Sequence, residues 1–318
     1  MRRLGGGVEY VTPNVSVCVK ENELHYNPYV YDPILKFTAE EANSTIKLNR
    51  LGTATTLANA SLQYSTDNGE TWNNYTFTQQ GTKGYSGGTI TLENVGDSVK
   101  FKGTNATLGV NTSNCHRFVM TGKIKATGDV TSLFNEVGDD IAMPSYGCYG
   151  LFFYCSSLTK APELPATTLA GDCYTNMFRG CTSLTSAPSL PATNLAKYCY
   201  EHMFYGCTSL TKAPELPATT LATYCYGGMF NGCTSLTKAP ELPATTLAGD
   251  CYTEMFSGCT NLNYIKAMFT TEPSSTYTSN WVKGVSSSGT FVKNSEAQWD
   301  VSGINGIPEG WTVQTESA

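Results

Sequence analysis

A 26-residue unit recurs almost letter for letter through the second half of this chain. Aligned on the pair Met-Phe, four copies share one spacing: Met177-Phe178, Met203-Phe204, Met229-Phe230 and Met255-Phe256. Each copy reads close to MFxGCTSLTxAPxLPATxLAxxCY, so apolar residues, glycines, cysteines and prolines recur in phase. Repeats of this length stack on one another, because a single unit cannot bury its apolar face alone. The sequence therefore predicts a solenoid.

Within each copy, the residues predict a short helix and an extended segment. Apolar residues follow the spacing of one helix face at Leu169, Ala170, Cys173, Tyr174, Met177 and Phe178. Thr167 or Thr168 would cap this helix, and Gly180 would end it. Residues 158–165 (LTKAPELP) are predicted to be extended, with Pro162 keeping the strand short.

The order Phe, Cys, Leu and Leu-Pro, after a predicted helix, resembles the BspA-like (Treponema-type) leucine-rich repeats. The resemblance covers about residues 146–269, although the unit is longer and Ala-Pro replaces the middle aliphatic residue of the strand. The residues beyond, with Trp281, Trp299 and Trp311, resemble the C-terminal caps of such repeats. Proteins of this arrangement are similar to surface adhesins of anaerobic gut bacteria and to virion proteins of their phages. The resemblance implies binding and no chemistry.

The first half of the chain has a different pattern. Residues 37–145 alternate short apolar strands with Gly, Asn, Asp and Ser clusters, which predicts a β-sandwich of immunoglobulin-like size. Residues 1–36 predict an arm that docks on a partner through His25, Tyr26, Tyr29 and Tyr31, with a first strand of the sandwich as the alternative. The predicted fold class is a mainly β N-terminal sandwich plus an α/β leucine-rich-repeat-like solenoid over 146–269, with a C-terminal cap over 270–318.

Two short motifs in the predicted sandwich are reminiscent of enzymes. Residues 65–72 (STDNGETW) match the Asp-box pattern SxDxGxTW of sialidase propellers. Asp67 would cap a hairpin turn, Gly69 would adopt a positive φ and Trp72 would pack back on the strand. One copy predicts a stabilising turn and not an active site. Residues 84–88 (GYSGG) match GxSxG, but a predicted strand follows and no His or Asp partner is indicated, so we expect a flexible hairpin loop.

Ten of the twelve cysteines follow the repeat in two ladders. Cysteine behaves as a small apolar residue, so a cysteine repeated within a repeated core predicts reduced core thiols. Disulfide bridges are the alternative. CxxC pairs are absent and His25, His116 and His202 stand apart, which argues against zinc. We expect no metal and no cofactor.

Composition limits the partners. Charged residues make up 14% of the chain and its formal net charge is -6, which excludes a strongly basic nucleic-acid binder. No apolar run is long enough to cross a bilayer, and the start MRRLGGGVEYVTPNVSV lacks the apolar part of a secretory signal. We expect a non-enzymatic phage virion surface protein, docked by its arm on other virion proteins, with a homo-oligomer also open. A bacterial cell-surface adhesin is the alternative; a carbohydrate-active enzyme rests only on the two motifs.

Differences between the copies suggest where binding occurs. The extended segments barely differ, whereas helix positions that point away from the apolar stripe vary freely. We expect tyrosines and their polar neighbours to contact a host cell-surface protein or glycan, at Lys197, Tyr198, Glu201, His202, Tyr205 and Tyr224. The alternatives are neutral drift on a solvated surface and contact through the extended face, at Lys160, Glu163, Lys212 and Glu215.

Overall fold

The N-terminal residues form short strands. The computed structural model describes residues 32–52, 57–81, 84–136 and 141–317, together with the main chain of four strands before them. These strands form an antiparallel sheet in chain order: β1 (Arg2–Leu4), β2 (Gly7–Thr12), β3 (Val15–Lys20) and β4 (Glu23–Tyr26). Of the predicted docking residues, His25 and Tyr26 belong to β4, whereas Tyr29 and Tyr31 lie outside the described residues. Docking on a partner stays a prediction.

Two six-stranded sheets follow. Their strands are β5 (Leu35–Ala39), β6 (Ser44–Leu51), β7 (Leu62–Ser65), β8 (Asn73–Asn74), β9 (Phe77–Gln80), β10 (Gly84–Gly87), β11 (Ile90–Leu92), β12 (Ser98–Gly103), β13 (Gly109–Asn111), β14 (Asn114–Thr121), β15 (Ile124–Thr127) and β16 (Leu158–Lys160). One sheet has the order β13-β14-β6-β10-β9, with β11 also on β6; the other has the order β16-β15-β5-β12-β7-β8. A 3-10 helix, Val130–Leu133, follows β15.

Alternating side chains from both sheets fill one core. In β5 and β6, every second residue is buried, as expected for strands with one covered face. Phe37 and Phe101 come from one sheet and Phe118 from the other, with ring centroids of Phe37 and Phe118 at 4.9 Å. Phe152 stacks on Phe118 at 5.4 Å, although it belongs to the repeats. The core of the sheets therefore continues into the repeats without a gap.

The repeats stack through main-chain hydrogen bonds between successive units. We number five units 0 to 4, over residues 141–166, 167–192, 193–218, 219–244 and 245–270. In unit 1, the N–H groups of Tyr174 and Phe178 donate to the carbonyls of Cys199 and Met203, 25 residues further along, at 3.0 and 2.9 Å. The N–H groups of Thr175 and Met177 instead donate three residues back within the unit, as Met177 does to Tyr174 at 3.1 Å. Each unit thus holds both itself and its neighbour.

The helices predicted for residues 146–269 are wrong. The described residues contain no α-helix, because every fourth residue of this segment has a positive φ: Asp172 at 60°, Asn176 at 57° and Gly180 at 73°. Thr168, a predicted helix cap, lies in a parallel bridge with Asn194 instead. The chain is nearly all β, and its units do not close into the strand-and-helix coil of an α/β leucine-rich-repeat solenoid. We call residues 172–181 and their equivalents the turn segments.

Aromatic columns run along the stack. Phe152, Phe178, Phe204, Phe230 and Phe256 stack with centroids 5.4–5.8 Å apart and nearly parallel rings. A second column contains Tyr174, Tyr200, Tyr226 and Tyr252, at 5.8–6.0 Å. Offset parallel rings attract one another beyond the area that they bury. Identical side chains therefore make each interface between units alike.

Both cysteine ladders are buried thiols. The second ladder has a specific contact: the thiols of Cys181 and Cys207 lie 3.1 Å from the carbonyl oxygens of Phe152 and Phe178, one unit earlier, and the following units repeat this contact. Burial raises the pKa of Cys207 to about 12, which keeps the S–H donor protonated. The described cysteines are buried, which confirms their predicted place in the core, and none of them forms a disulfide.

A parallel sheet and buried tryptophans end the stack. The sheet contains β17 (Tyr264–Ala267), β18 (Thr290–Asn294) and β19 (Thr312–Glu316) in this order. Trp281 is fully buried and contacts the last rings of both columns, Tyr252 and Phe256, at 6.3 and 6.1 Å. Its indole N–H donates to the carbonyl of Gly306 at 2.8 Å. Trp281 therefore covers the end of the aromatic columns.

Candidate binding surface

The Asp-box forms a hydrogen-bonded turn between β7 and β8. The carboxylate of Asp67 accepts hydrogen bonds from the N–H and the hydroxyl of Thr71, the former at 2.9 Å, and from Ser65 at 2.7 Å. These bonds hold the pKa of Asp67 well below its usual range. Gly69 has a φ of 102°, and the ammonium of Lys102 lies 4.5 Å from the ring centroid of Trp72. The predicted turn is confirmed.

The GxSxG string is a strand, so the predicted flexible loop is wrong. Ser86 lies in β10 between β6 and β9, and its hydroxyl donates to the carbonyl of Gly87 at 3.2 Å. A Cβ at Gly87 would lie 2.3 Å from the hydroxyl of Tyr75. That hydroxyl accepts from the N–H of Leu48 at 2.9 Å and donates to the carbonyl of Gly88 at 2.7 Å. The small residues here make room for a tyrosine that links two strands.

In the described part of the chain, His116 is a buried structural residue and no residues are grouped for a metal ion. His116 is buried; its Nε2 accepts from the N–H of Ala60 at 3.0 Å, and its Nδ1 lies 3.0 Å from the carbonyl of Leu108. Burial lowers its pKa to about 4, so it is a neutral structural residue. Residues 32–317, apart from the three undescribed gaps, contain no group of three His, Cys, Asp or Glu placed for a metal ion. No helix in those residues has the length and apolar character to span a bilayer.

The six predicted binding residues lie in or beside the turn segments of units 2 and 3. We call the outward side chains of the turn segments the turn face. Tyr198 and Tyr224 stack on one another at 5.1 Å, and the ammonium of Lys197 lies 4.7 Å from the centroid of Tyr198. Lys197 is exposed and both tyrosines are half-buried. The structure therefore brings these three residues together in one aromatic cluster, which we call an aromatic step.

A second step lies around Tyr205. The guanidinium carbon of Arg179 is 4.2 Å from the ring centroid of Tyr205 and 5.9 Å from that of Phe153. The imidazole of His202 meets the edge of Tyr205 at 5.6 Å. Arg179 also donates to the side-chain oxygen of Asn176 at 3.2 Å. Ring stacking and this bond fix the position of Tyr205 before any ligand arrives.

Glu201 and His202 lie over two glycines of unit 3. A Cβ at Gly228 would be 2.2 Å from the ring of His202, and a Cβ at Gly227 would be 3.7 Å from Cγ of Glu201. Burial and the nearby charge of Asp172 raise the pKa of Glu201 to about 7. Burial and Arg179 lower the pKa of His202 to about 4. Within the described residues, neither side chain has a hydrogen-bond partner, so both are open to a ligand.

Bulky residues occupy strained positions on this face. Tyr198, His202 and Tyr224 have φ values of 60°, 52° and 55°. Such a conformation costs a side chain with a Cβ about 1 kcal/mol, and Asp, Asn and Gly tolerate it best. Asp250 and Gly228 occupy equivalent positions in neighbouring units, whereas Tyr146 of unit 0 and Glu254 of unit 4 have positive φ as well. Units 2 and 3 therefore carry large side chains where the fold is easier to form without them.

Sequence reasoning missed part of this surface. Phe153 and Arg179 extend the step at Tyr205, and Tyr154 is 63% exposed with its ring against the position of Gly180. These residues belong to units 0 and 1, outside the six predicted binding residues. Unit 0 reads GLFFYC where later units read MFxGC, and this irregular aromatic pair was the available signal.

Comparisons with known proteins leave this surface to be interpreted from its own chemistry. Protein-family models, curated proteins and solved structures gave no match to the chain.

Proposed function

We propose that the protein is a non-enzymatic binding protein that recognises a cell surface through the turn face of units 2 and 3. The observation that carries this proposal is the pair of aromatic steps, one at Tyr198 and Tyr224 and one at Tyr205. Fixed, partly exposed tyrosines offer large contact area at low entropy cost. Open polar groups beside them, on Glu201 and His202, would add direction.

The setting of this binding stays a prediction from the sequence. A phage particle, with docking through residues 1–36, and a bacterial cell surface would both present such a face to another cell. The described geometry favours neither setting. The target, a host surface protein or glycan, is likewise part of the proposal.

Residues from the sister units provide a matched test. A face-swapped variant would carry Tyr198→Asp, His202→Asn, Tyr205→Ser and Tyr224→Asp, each taken from the same position of unit 1 or unit 4. Because the fold already accommodates these residues there, we expect the variant to fold with a similar melting temperature. Binding of labelled full-length protein to cultured gut anaerobes, measured by flow cytometry, should fall at least about tenfold.

The control changes the extended segments instead, outside the turn face, with Lys160→Ala and Glu163→Ala. We expect this variant to bind cells as the original chain does. Cell binding that survives the face swap, or that is lost in the control alone, would contradict the proposal. A chain that binds none of the cells would contradict it as well.

A further inference from the structure

A groove crosses the extended segments of units 2 to 4. Its volume is about 580 Å³, and its polar side chains are Thr211, Lys212, Glu215, Lys238, Glu241, Tyr264 and Lys266. Alanines and prolines lie between them. The groove belongs to residues 211–266 of the extended side, and none of its residues is part of the turn face.

The main chain is open at this groove. Between units 1 and 2, the N–H of Ala187 donates to the carbonyl of Lys212 at 3.2 Å, and between units 3 and 4 that of Ala239 donates to Tyr264 at 2.9 Å. No main-chain hydrogen bond joins residues 211–216 to residues 237–242, although the structure describes both segments completely. The N–H of Ala213, which would make the equivalent bond, has no partner there. The interface between units 2 and 3 therefore leaves main-chain hydrogen-bond donors and acceptors available to a ligand.

The charges of the groove are unevenly paired. Lys266 lies between two carboxylates, 3.1 Å from Glu241 and 2.9 Å from Glu316. Lys212 and Lys238 have no carboxylate within ion-pair distance in the described chain, and Lys238 lies 4.9 Å from the ring centroid of Tyr264. These two ammonium groups occupy the same position in successive units. Two ammonium groups without carboxylate partners can both donate to one carboxylate.

The remaining groups fit a sugar. Glu215 is exposed and has no cationic partner among the described residues, so its carboxylate can accept hydrogen bonds from hydroxyl groups. Tyr264 is half-buried and its ring can pack against the apolar face of a pyranose. A uronic acid residue has a carboxylate that lysines can bind, hydroxyl groups that a carboxylate can bind and an apolar face that an aromatic ring can cover. The groove offers all three kinds of group.

We propose that the groove across units 2 to 4 is a second binding site, which takes an acidic glycan and holds the carboxylate of a uronic acid residue between Lys212 and Lys238. Hydroxyls of the same residue bond to Glu215, and its ring packs on Tyr264. The site is independent of the turn face, and failure of one proposal leaves the other untouched.

Calorimetric titration of the full chain with oligogalacturonate tests the site. We expect binding of oligogalacturonate and at least about tenfold weaker binding of its methyl ester, which has the same backbone without the charge. The Lys212→Gln/Lys238→Gln variant should lose a similar factor. The control, Lys160→Gln/Lys283→Gln, removes the same net charge outside the groove and should bind as the original chain does.

Three outcomes would overturn the proposal. Equal binding of the ester would show that the carboxylate is not recognised. Equal binding of poly-glutamate would show that only charge matters. A loss of affinity in the control as large as in the double variant would show a general electrostatic effect and no site.

Discussion

At the scale of single residues, cysteine in the second ladder acts as a hydrogen-bond donor. The carbonyl of Phe178 lies inside the stack, and the thiol of Cys207 reaches it at 3.1 Å across the interface between units. Few side chains are small and apolar and also carry a hydrogen-bond donor. A disulfide would remove the donor, so the ladder requires reduced sulfur. The same contact recurs in each unit, which explains why this position does not vary.

Replacing Cys207 tests this role. Cys207→Ala removes the donor and leaves a small cavity, so we expect a loss of about 1–3 kcal/mol in the free energy of unfolding. Cys207→Ser keeps a donor of similar reach and should lose clearly less. Urea denaturation followed by tyrosine and tryptophan fluorescence measures both. Equal losses in the two variants would mean that the thiol contributes volume alone.

Glu201 makes the stability of unit 2 depend on pH. Its pKa is raised in the folded chain from 4.5 to about 7, first by burial and then by the charge of Asp172. The folded chain therefore binds more protons than the unfolded chain in this range, so stability falls as pH rises through it. Glu201→Gln should remove this dependence: its melting temperature should match the original chain near about pH 5 and exceed it near about pH 8. A constant difference across that range would disprove the assignment.

At the scale of elements, the turn segments show why a helix was predicted and why it does not form. Apolar pairs recur every four residues, at Cys173-Tyr174 and Met177-Phe178, and over ten residues this spacing cannot be told from a helix of 3.6 residues per turn. Stacking decides the outcome, because every second N–H bonds to the next unit. Asp172, Asn176 and Gly180, four residues apart, were the sequence signal for positive φ.

The candidate surface was predictable in part, for the same reason. Variation between copies identified Tyr198, Tyr205 and Tyr224, because variation does not depend on the local backbone. Their pairing could not be deduced, since it depends on which side chains meet across units. A helix would not have placed Arg179 against Tyr205 or His202 over Gly228.

A substitution at Asp250 distinguishes the turn segment from a helix. Asp250 is half-buried with a φ of 52°, and its side chain accepts a hydrogen bond from Thr253 at 3.0 Å. Asp250→Gly and Asp250→Ala both lose that bond and differ only in backbone preference. Here glycine should be the more stable by about 1 kcal/mol, whereas in a helix interior alanine would be, by a similar amount. Thermal denaturation of the two variants gives the sign directly.

At the scale of the whole molecule, the repeats form a one-dimensional array between two different ends. Phe152 joins the array to the sheets through Phe118, and Trp281 closes the other end over Tyr252 and Phe256. Each internal unit contacts only its neighbours, and the rings and main-chain bonds of the turn segments are nearly the same at every interface. Stability in such an array is close to a sum over units and interfaces. The buried part of a unit is therefore interchangeable, while its turn face is not.

Deleting one unit at a time separates these two properties. Removal of residues 193–218 joins unit 1 to unit 3 with the sequence PAT intact at the junction, so Phe178 would stack on Phe230. Removal of residues 167–192 shortens the stack by the same amount and keeps Tyr198, Tyr205 and Tyr224, although it removes Arg179 from beside Tyr205. Both variants should fold cooperatively and melt at similar, slightly lower temperatures than the original chain, because each loses one interface of the same kind.

Only the removal of residues 193–218 should abolish cell binding, since it removes the side chains of unit 2 from the turn face. That deletion also removes Lys212 of the groove. The Lys212→Gln/Lys238→Gln variant therefore serves as the reference for loss of the groove alone. If removal of 193–218 unfolds the chain while removal of 167–192 does not, the units are not interchangeable and their contacts differ in strength. If both shortened chains fold and bind alike, recognition does not depend on the side chains of unit 2, and the strain at Tyr198 and His202 has another cause.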